Sequence, residues 1–110
     1  MPALGEQFRE VAGRKILFDE EGFLCHADDW SEDVAAELAA EAGVTGFSEA
    51  QWRVIRFLRD FYYDNGRSPL NRRIVEGVGM SLLELERLFP DGIRHGAKRL
   101  AGLPNPKRCS

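Results

Sequence analysis

The spacing of hydrophobic residues is that of β-strands near the N-terminus and of helices in the rest of the chain. Apolar and polar residues alternate across residues 8–18 on both sides of the pair Ala12-Gly13, which predicts a β-hairpin closed by a tight turn. A second turn at Gly22, followed by residues 23–25, predicts a third short strand. This antiparallel β-meander or hairpin needs a second layer to be stable, and the helices that follow are expected to supply it.

Helical spacing and capping residues divide the remaining chain into five predicted helices. Serines begin four of them, at Ser31, Ser48, Ser68 (with Pro69 as the first helical residue) and Ser81, and the ends are marked by Gly43, Gly66, Gly79 and Pro90. The second helix is apolar over most of its circumference and is expected to be the central, most buried one. The fifth is a short helix over residues 95–101. The predicted fold class is α+β, with the strands packed on a helix-turn-helix-like bundle.

Length and composition favour one small domain. The chain has 110 residues, of which 44% are hydrophobic. Residues 1–103 are expected to form the domain, and residues 104–110 a flexible C-terminal arm that carries Cys109. The sequence shows no transmembrane or signal-peptide stretch, so a cytoplasmic protein is expected. The two cysteines and two histidines form neither a disulfide framework nor a zinc pattern, and no metal or organic cofactor is expected.

The net charge of −3 conceals an acidic first half and a basic second half. Residues 1–50 contain 3 of the 15 lysines and arginines but 12 of the 18 acidic residues. Such an asymmetry indicates either charged partners or two halves of the chain that attract each other.

Cys109 is the candidate reactive residue. It lies one residue from the end of the sequence, directly after Lys107 and Arg108. Nearby cations lower the pKa of a thiol and raise its thiolate fraction, so an exposed, nucleophilic cysteine is predicted here. A thiolate on a swinging arm can attack or carry sulfur at the active site of another protein. The alternative is a surface cysteine without a role.

The remaining candidates are weaker. Cys25 ends the predicted third strand and is expected to be a buried core residue, although a redox pair with Cys109 stays open. The last predicted helix carries four basic side chains that could support an anionic sulfur or dock a partner, namely Arg94, His95, Lys98 and Arg99. A solvated helix face is the alternative for these four.

Residues 75–88 match the spacing of a DNA-binding helix-turn-helix motif, with Gly79 in the turn. The second helix of the motif carries Glu84 and Glu86 against the single Arg87, and carboxylates that face phosphates oppose DNA binding. The spacing is better explained by a three-helix core. A regulatory DNA-binding protein remains the alternative function, and nucleic-acid contact is not expected.

Several motifs of the chain resemble the DsrC/TusE family, over about residues 8–110. The C-terminal half matches in the aromatic stretch 52–62, in Leu88-Phe89-Pro90, and in Ala101-Gly102-Leu103-Pro104 followed by Pro106 and Cys109. The N-terminal part matches in Asp19-Glu20-Glu21-Gly22-Phe23-Leu24 and in Asp29-Trp30-Ser31. The family usually has Pro-Lys-Pro before the cysteine, where this chain has Pro104-Asn105-Pro106.

The resemblance implies a small β-meander and helix fold with a mobile arm, and a role in sulfur transfer. In the two-cysteine members, which work with dissimilatory sulfite reductase, the second arm cysteine falls at the position of Lys98. The single Cys109 therefore resembles the TusE-like type, in which one cysteine accepts a persulfide in a relay toward tRNA thiolation. The implied partners are a sulfur-donor protein of the DsrEFH or TusBCD type and a sulfur-acceptor protein. No contact with a membrane is expected. A DsrC-like partner of sulfite reductase is the other reading.

Overall fold

The fold is seen in a computed structural model that describes residues 4–106, and it begins with the expected hairpin. Strand β1 (Gln7–Val11) pairs antiparallel with β2 (Arg14–Phe18), so that Val11 lies opposite Arg14. The turn between them needs two left-handed residues, and Ala12 (φ 52°) and Gly13 (φ 76°) supply them. The predicted hairpin is therefore confirmed.

The predicted third strand is wrong, because it is reduced to a single bridge between Phe18 and Leu24. The Asp19 side chain explains the tight return, since its Oδ1 accepts hydrogen bonds from the backbone N–H groups of Glu21 and Phe23, both 2.9 Å long. After the bridge the chain enters a short 3₁₀ turn at Ala27–Asp29, which ends any further pairing with β2.

In the part of the chain that the structure describes, four α-helices and one π-helix follow the hairpin. They are α1 (Glu32–Glu41), α2 (Glu49–Asn65), α3 (Asn71–Val78), α4 (Leu82–Leu88) and a π-helix (Ile93–Lys98). Helix α1 packs on β1, α2 packs on both α3 and the π-helix, and α3 packs on α4. The α+β class, with a hairpin on a helical bundle, is thus confirmed. Among residues 4–106, no helix is both long and apolar enough to cross a membrane.

The helix starts follow the predicted capping chemistry with one exception. Ser31 caps α1 through a hydrogen bond from the Val34 N–H, and the starts of α2 and α4 are complete capping boxes, Ser48 with Gln51 and Ser81 with Glu84. The prediction that α3 begins at Ser68-Pro69 is wrong. Leu70 keeps an extended backbone (ψ 157°), and the helix begins only after it, at Asn71.

The expectation that α2 is the most buried helix is also wrong. Only Val54, Ile55 and Leu58 of its 17 residues are buried, whereas the shorter α1 buries four residues. Most of the aromatic side chains of α2 are only partly buried, and Tyr63 is exposed. Trp52 is half-buried and packs against Phe47 with ring centroids 4.8 Å apart, as a hydrophobic staple.

The last helix begins two residues earlier than predicted and is wider than an α-helix. The N–H of Ala97 donates to the carbonyl of Gly92 over 3.0 Å, which is the i→i−5 bond of a π-helix. The N–H of Leu103 makes the same kind of bond to the carbonyl of Lys98 over 3.2 Å. Short π-helical segments occur often at functional sites, and this one lies directly before the C-terminal segment.

Candidate functional site

The structure describes the base of the C-terminal segment but not its end. Cys109, with Lys107 and Arg108 beside it, lies outside the described residues. The description runs to Pro106, three residues before the cysteine, so the features that hold the start of the segment are visible. The four basic side chains proposed from the sequence are also described, on the π-helix and the residue after it.

Asn105 is the best anchored residue of this segment. Its side chain is only 2% exposed. Its Nδ2 donates to Asp19 Oδ2 over 3.0 Å and to Glu21 Oε2 over 2.8 Å. Its Oδ1 accepts a hydrogen bond of 2.9 Å from Arg94 Nη2. We call these four residues, Asp19, Glu21, Arg94 and Asn105, the Asn105 seat.

The Asn105 seat joins the two ends of the chain. Asp19 and Asn105 are 86 positions apart in the sequence, yet one carboxylate both closes the turn after β2 and accepts from Asn105. Buried polar groups are stable only when they are hydrogen-bonded, and in this seat each group satisfies another. The position of the C-terminal segment is therefore coupled to the geometry of the N-terminal turn.

Glu21 is where the acidic half of the chain meets the basic half. Its Oε1 lies 3.3 Å from Arg94 Nη2 and 3.2 Å from His95 Nε2. The rings of Phe23 and His95 also pack together, with centroids 5.6 Å apart. The two halves thus attract each other at this point, which is one of the two explanations that the charge asymmetry allowed.

The structure brings the four predicted basic residues together but gives them different surroundings. Arg94 and His95 are engaged by Glu21, as described above. Arg99 donates from Nε to the carbonyl of His95 over 2.8 Å, and its Nη2 lies 4.0 Å from Asp91. Lys98 is only 7% exposed and forms no salt bridge with any residue between 4 and 106. Their roles in supporting a sulfur anion or docking a partner stay predictions.

A second anchor holds the backbone just before the Asn105 seat. The indole N–H of Trp30 donates to the carbonyl of Leu100 over 2.8 Å, and Arg59 donates to the carbonyl of Ala101 over 2.9 Å. The Arg59 guanidinium also lies over the Trp30 ring, 4.2 Å from its centroid. Burial lowers the pKa of Arg59, and the charge of Asp28 partly opposes that shift. We call Trp30, Arg59 and the backbone they hold the Trp30 anchor.

Except for Arg94, sequence reasoning did not propose the residues that build the two anchors as site residues. Asp19 and Glu21 appeared only as residues of a turn and of a family motif, and Asn105 only as a departure from a family pattern. Arg59 appeared only as one letter of the aromatic stretch in α2. Two signals were available in the sequence. Arg59 is an arginine on a largely apolar helix, and Asn105 is a polar residue between two prolines.

The buried lysine gives a test of these surroundings. Burial lowers the pKa of Lys98 from its ordinary value of 10.5, and the positive charge of Arg94 lowers it further. Between the lowered pKa and 10.5 the unfolded chain binds a proton that the folded chain has released, so this residue makes stability rise with pH there. Lys98→Met should therefore stabilise the protein near neutral pH.

This advantage of Lys98→Met should shrink as the pH rises. Urea unfolding of both proteins from about pH 7.5 to about pH 10.5 measures the difference in unfolding free energy. Lys15→Met, on an exposed position of β2, is the matched control for the loss of a lysine side chain. A difference that does not change with pH would contradict the burial of a charged Lys98.

Three comparisons relate the chain to known proteins. The family model described as DsrC like protein matches residues 10–110. The chain is 41% identical to the sulfurtransferase TusE of Sodalis glossinidius, over 91% of this chain and 98% of that protein. It is 36% identical to the gamma subunit of the dissimilatory-type sulfite reductase of Nitratidesulfovibrio vulgaris, over 88% of this chain and 92% of that one.

Solved structures agree with this assignment. The structure of dissimilatory sulfite reductase I (DsrI) has a matching chain with a TM-score of 0.83 and 36% identity, covering 94% of this chain and 100% of that one. The oxidized gamma subunit (DsrC) from Archaeoglobus fulgidus gives a TM-score of 0.79 with 33% identity, over 94% and 100% of the two chains. The names of these relatives support a sulfur-relay carrier, as the sequence motifs predicted. By sequence, length and fold, the chain belongs to the DsrC-like protein family.

Proposed function

We propose that the chain is a single-cysteine sulfur carrier that holds a persulfide on Cys109 and delivers it to a partner protein. The observation that carries the proposal is the family match, which continues to residue 110 and so includes Cys109. The geometry of the base supports it. Cys109 lies four positions after Asn105, and four residue steps span at most about 14 Å. A seated Asn105 thus confines the thiol to a limited volume around one fixed point.

The chemistry is two thiol exchanges in sequence. The Cys109 thiolate attacks the outer sulfur of a donor persulfide, a new S–S bond forms on Cys109, the donor's S–S bond breaks, and the donor leaves as a thiolate. A thiolate of the acceptor then attacks the terminal sulfur of the Cys109 persulfide, and Cys109 is released as a thiolate. No net oxidant or reductant is needed. The rate depends on the thiolate fraction and on access, and the cations that precede Cys109 in the sequence raise the thiolate fraction.

We assign supporting roles to the basic residues of this end of the chain. Lys107 and Arg108 stabilise the anionic sulfur by proximity, since they directly precede Cys109. A partner protein binds to the basic surface that is formed by Arg94, His95, Lys98 and Arg99. Of these, His95 and Arg94 have the most accessible side chains, 48% and 32% exposed, while Arg99 is mostly covered and Lys98 acts from within the protein.

The partners follow from the single cysteine. Lys98 stands where two-cysteine members of the family carry their second arm thiol, so the relay of the TusE type is favoured: a DsrEFH- or TusBCD-like donor and an acceptor protein that leads to tRNA thiolation. Because the carrier must keep a reduced thiol, a reducing compartment, the cytoplasm, is part of the proposal. The second candidate is a partner of dissimilatory sulfite reductase, favoured by the similarity to the gamma subunits.

Mass spectrometry after incubation with a persulfide donor tests the carrier function. We expect one added sulfur, about 32 Da, on the wild-type protein and on Cys25→Ser, and none on Cys109→Ser. Peptide mapping should place the sulfur on Cys109. Sulfur found on Cys25, or loading that survives in Cys109→Ser, would contradict the proposal.

The same samples distinguish the two candidates under a mild oxidant. The single-thiol relay gives Cys109 no resolving partner, so this candidate predicts intermolecular disulfides through Cys109 on a non-reducing gel. A monomeric oxidised band that disappears in Cys25→Ser would instead show a two-thiol mechanism. That result would favour the sulfite-reductase type of chemistry over the single-thiol relay.

A further inference from the structure

A cavity of about 400 Å³ lies where the end of α2 meets the start of α3, on elements that the sulfur chemistry does not use. Its lining is Phe61, Arg67, Ser68, Pro69, Leu70, Arg72, Arg73 and Glu76. Cavities of this size are typical of small-ligand sites.

The cavity has an unbalanced positive charge. Three arginines line it, Arg67, Arg72 and Arg73, against the single carboxylate of Glu76. Within residues 4–106 none of the three arginines forms a salt bridge, whereas Arg9, Arg14, Arg94 and Arg99 each approach a carboxylate. Acidic residues from the first half of the chain pair with basic residues near the C-terminal segment. They form no such pairs with the three arginines of the cavity, as far as residues 4–106 show.

The positions of two of these arginines are unfavourable for the helix itself. Arg72 and Arg73 lie in the first turn of α3, which contains no acidic residue and has no side-chain cap. The N-terminus of a helix carries partial positive charge, so cations in its first turn destabilise it and anions stabilise it. A bound anion would offset this repulsion and would also lie near the N–H groups at the start of the helix.

Ser68 provides an independent sign of a missing partner. Its hydroxyl oxygen is buried and forms no hydrogen bond, the one such side-chain atom among residues 4–106. A buried hydroxyl without a partner costs free energy, and an ion or ligand is one of the recognised explanations for it. Ser68 is also part of the cavity lining, and rotation about a single side-chain bond reorients its hydroxyl.

We propose that this cavity binds a phosphate group, held by Arg67, Arg72 and Arg73 and by the hydroxyl of Ser68. Arginine presents paired N–H donors that match the oxygens of a phosphate, and serine adds a further donor. The group belongs either to a small phosphate ester or to the backbone of a nucleic acid, and both present the same oxygens. The site is independent of the persulfide chemistry of Cys109.

NMR titration of the ¹⁵N-labelled full chain tests the site. The probes are inorganic phosphate, adenosine monophosphate and single-stranded polyuridylate, each at an ionic strength matched with sodium chloride. We expect saturable shifts of the amide signals of residues 68–76. Saturation by the first two probes identifies a small phosphate ester, and saturation by polyuridylate alone identifies a nucleic-acid backbone. Shifts equal to those of chloride for all three probes would overturn the proposal.

Substitutions that remove a positive or a negative charge from the lining test the site further. Arg72→Ala should weaken binding roughly tenfold, the size of one charge-assisted hydrogen bond. Glu76→Gln should strengthen it, because the one carboxylate that residues 4–106 contribute to the lining is neutralised. Arg87→Ala, which removes the same charge from the exposed side of α4, is the matched control and should change little. Equal weakening by Arg72→Ala and Arg87→Ala would show non-specific attraction and would also overturn the proposal.

Discussion

Replacing Gly102 with alanine is expected to destabilise the protein by roughly 2–4 kcal/mol, through a steric clash and backbone strain together. A Cβ atom at this position would lie 2.6 Å from both Cβ and Cγ of Trp30. The ring cannot move aside freely, because its N–H is bonded to the Leu100 carbonyl and Arg59 lies over its face. Gly102 also has a left-handed backbone (φ +74°), which alanine adopts at a cost.

Gly66→Ala separates the two causes. Gly66 ends α2 with nearly the same φ, +71°, but a Cβ there would meet nothing within 4 Å. This control should therefore lose only the backbone contribution, on the order of 1–2 kcal/mol. Urea unfolding measures both variants against the wild type. Equal losses would contradict the close packing of Trp30 on Gly102 and with it the Trp30 anchor.

The local features of the fold were predictable because each depends on a few neighbouring residues. The Ala12-Gly13 turn and the capping boxes at Ser48 and Ser81 are examples. In each case the residues that form the turn or the cap lie within three positions of one another in the sequence. The family resemblance was predictable for a similar reason, since it rests on short motifs.

The features that failed depend on hydrogen bonds and packing that the spacing of hydrophobic residues does not show. The strand predicted at residues 23–25 was replaced by a side-chain capped turn, because the Asp19 carboxylate takes up the N–H groups of Glu21 and Phe23. In so short a segment, the spacing of hydrophobic residues in a π-helix cannot be distinguished from that in an α-helix. The starts of α1, α2 and α4 could be read from their serine caps, whereas the start of α3 and the π-helix could not.

The candidate site divides in the same way. Cys109 and the basic residues near it could be proposed from residue chemistry and position alone. Asn105 could not be proposed, because its partners Asp19 and Glu21 are more than eighty positions away. The basic cluster also looked uniform in the sequence, whereas the structure pairs Arg94 with Glu21 and buries Lys98 without an ion pair among residues 4–106.

The second large effect is expected from Asn105→Leu, a change of similar volume that removes all polar atoms of the side chain. It leaves the buried Asp19 Oδ2 without this donor and Arg94 without this acceptor. Because a buried polar group that loses its partner costs about 1–3 kcal/mol, we expect a loss of roughly 2–4 kcal/mol in unfolding free energy. Asn65→Leu is the matched control, since Asn65 is exposed and bonds only within its own helix, to the carbonyl of Phe61.

The same variant tests whether the Asn105 seat serves sulfur transfer. A displaced base moves Cys109 relative to a docked protein, and small misplacements of reacting atoms slow a reaction strongly. Persulfide loading by a TusBCD-type donor protein should therefore slow roughly tenfold or more. Loading by glutathione persulfide should keep its rate, because the Cys109 thiol is chemically unchanged and a small donor needs no docking. If both donors slow equally, or neither does, Asn105 stabilises the fold without positioning the reactive cysteine.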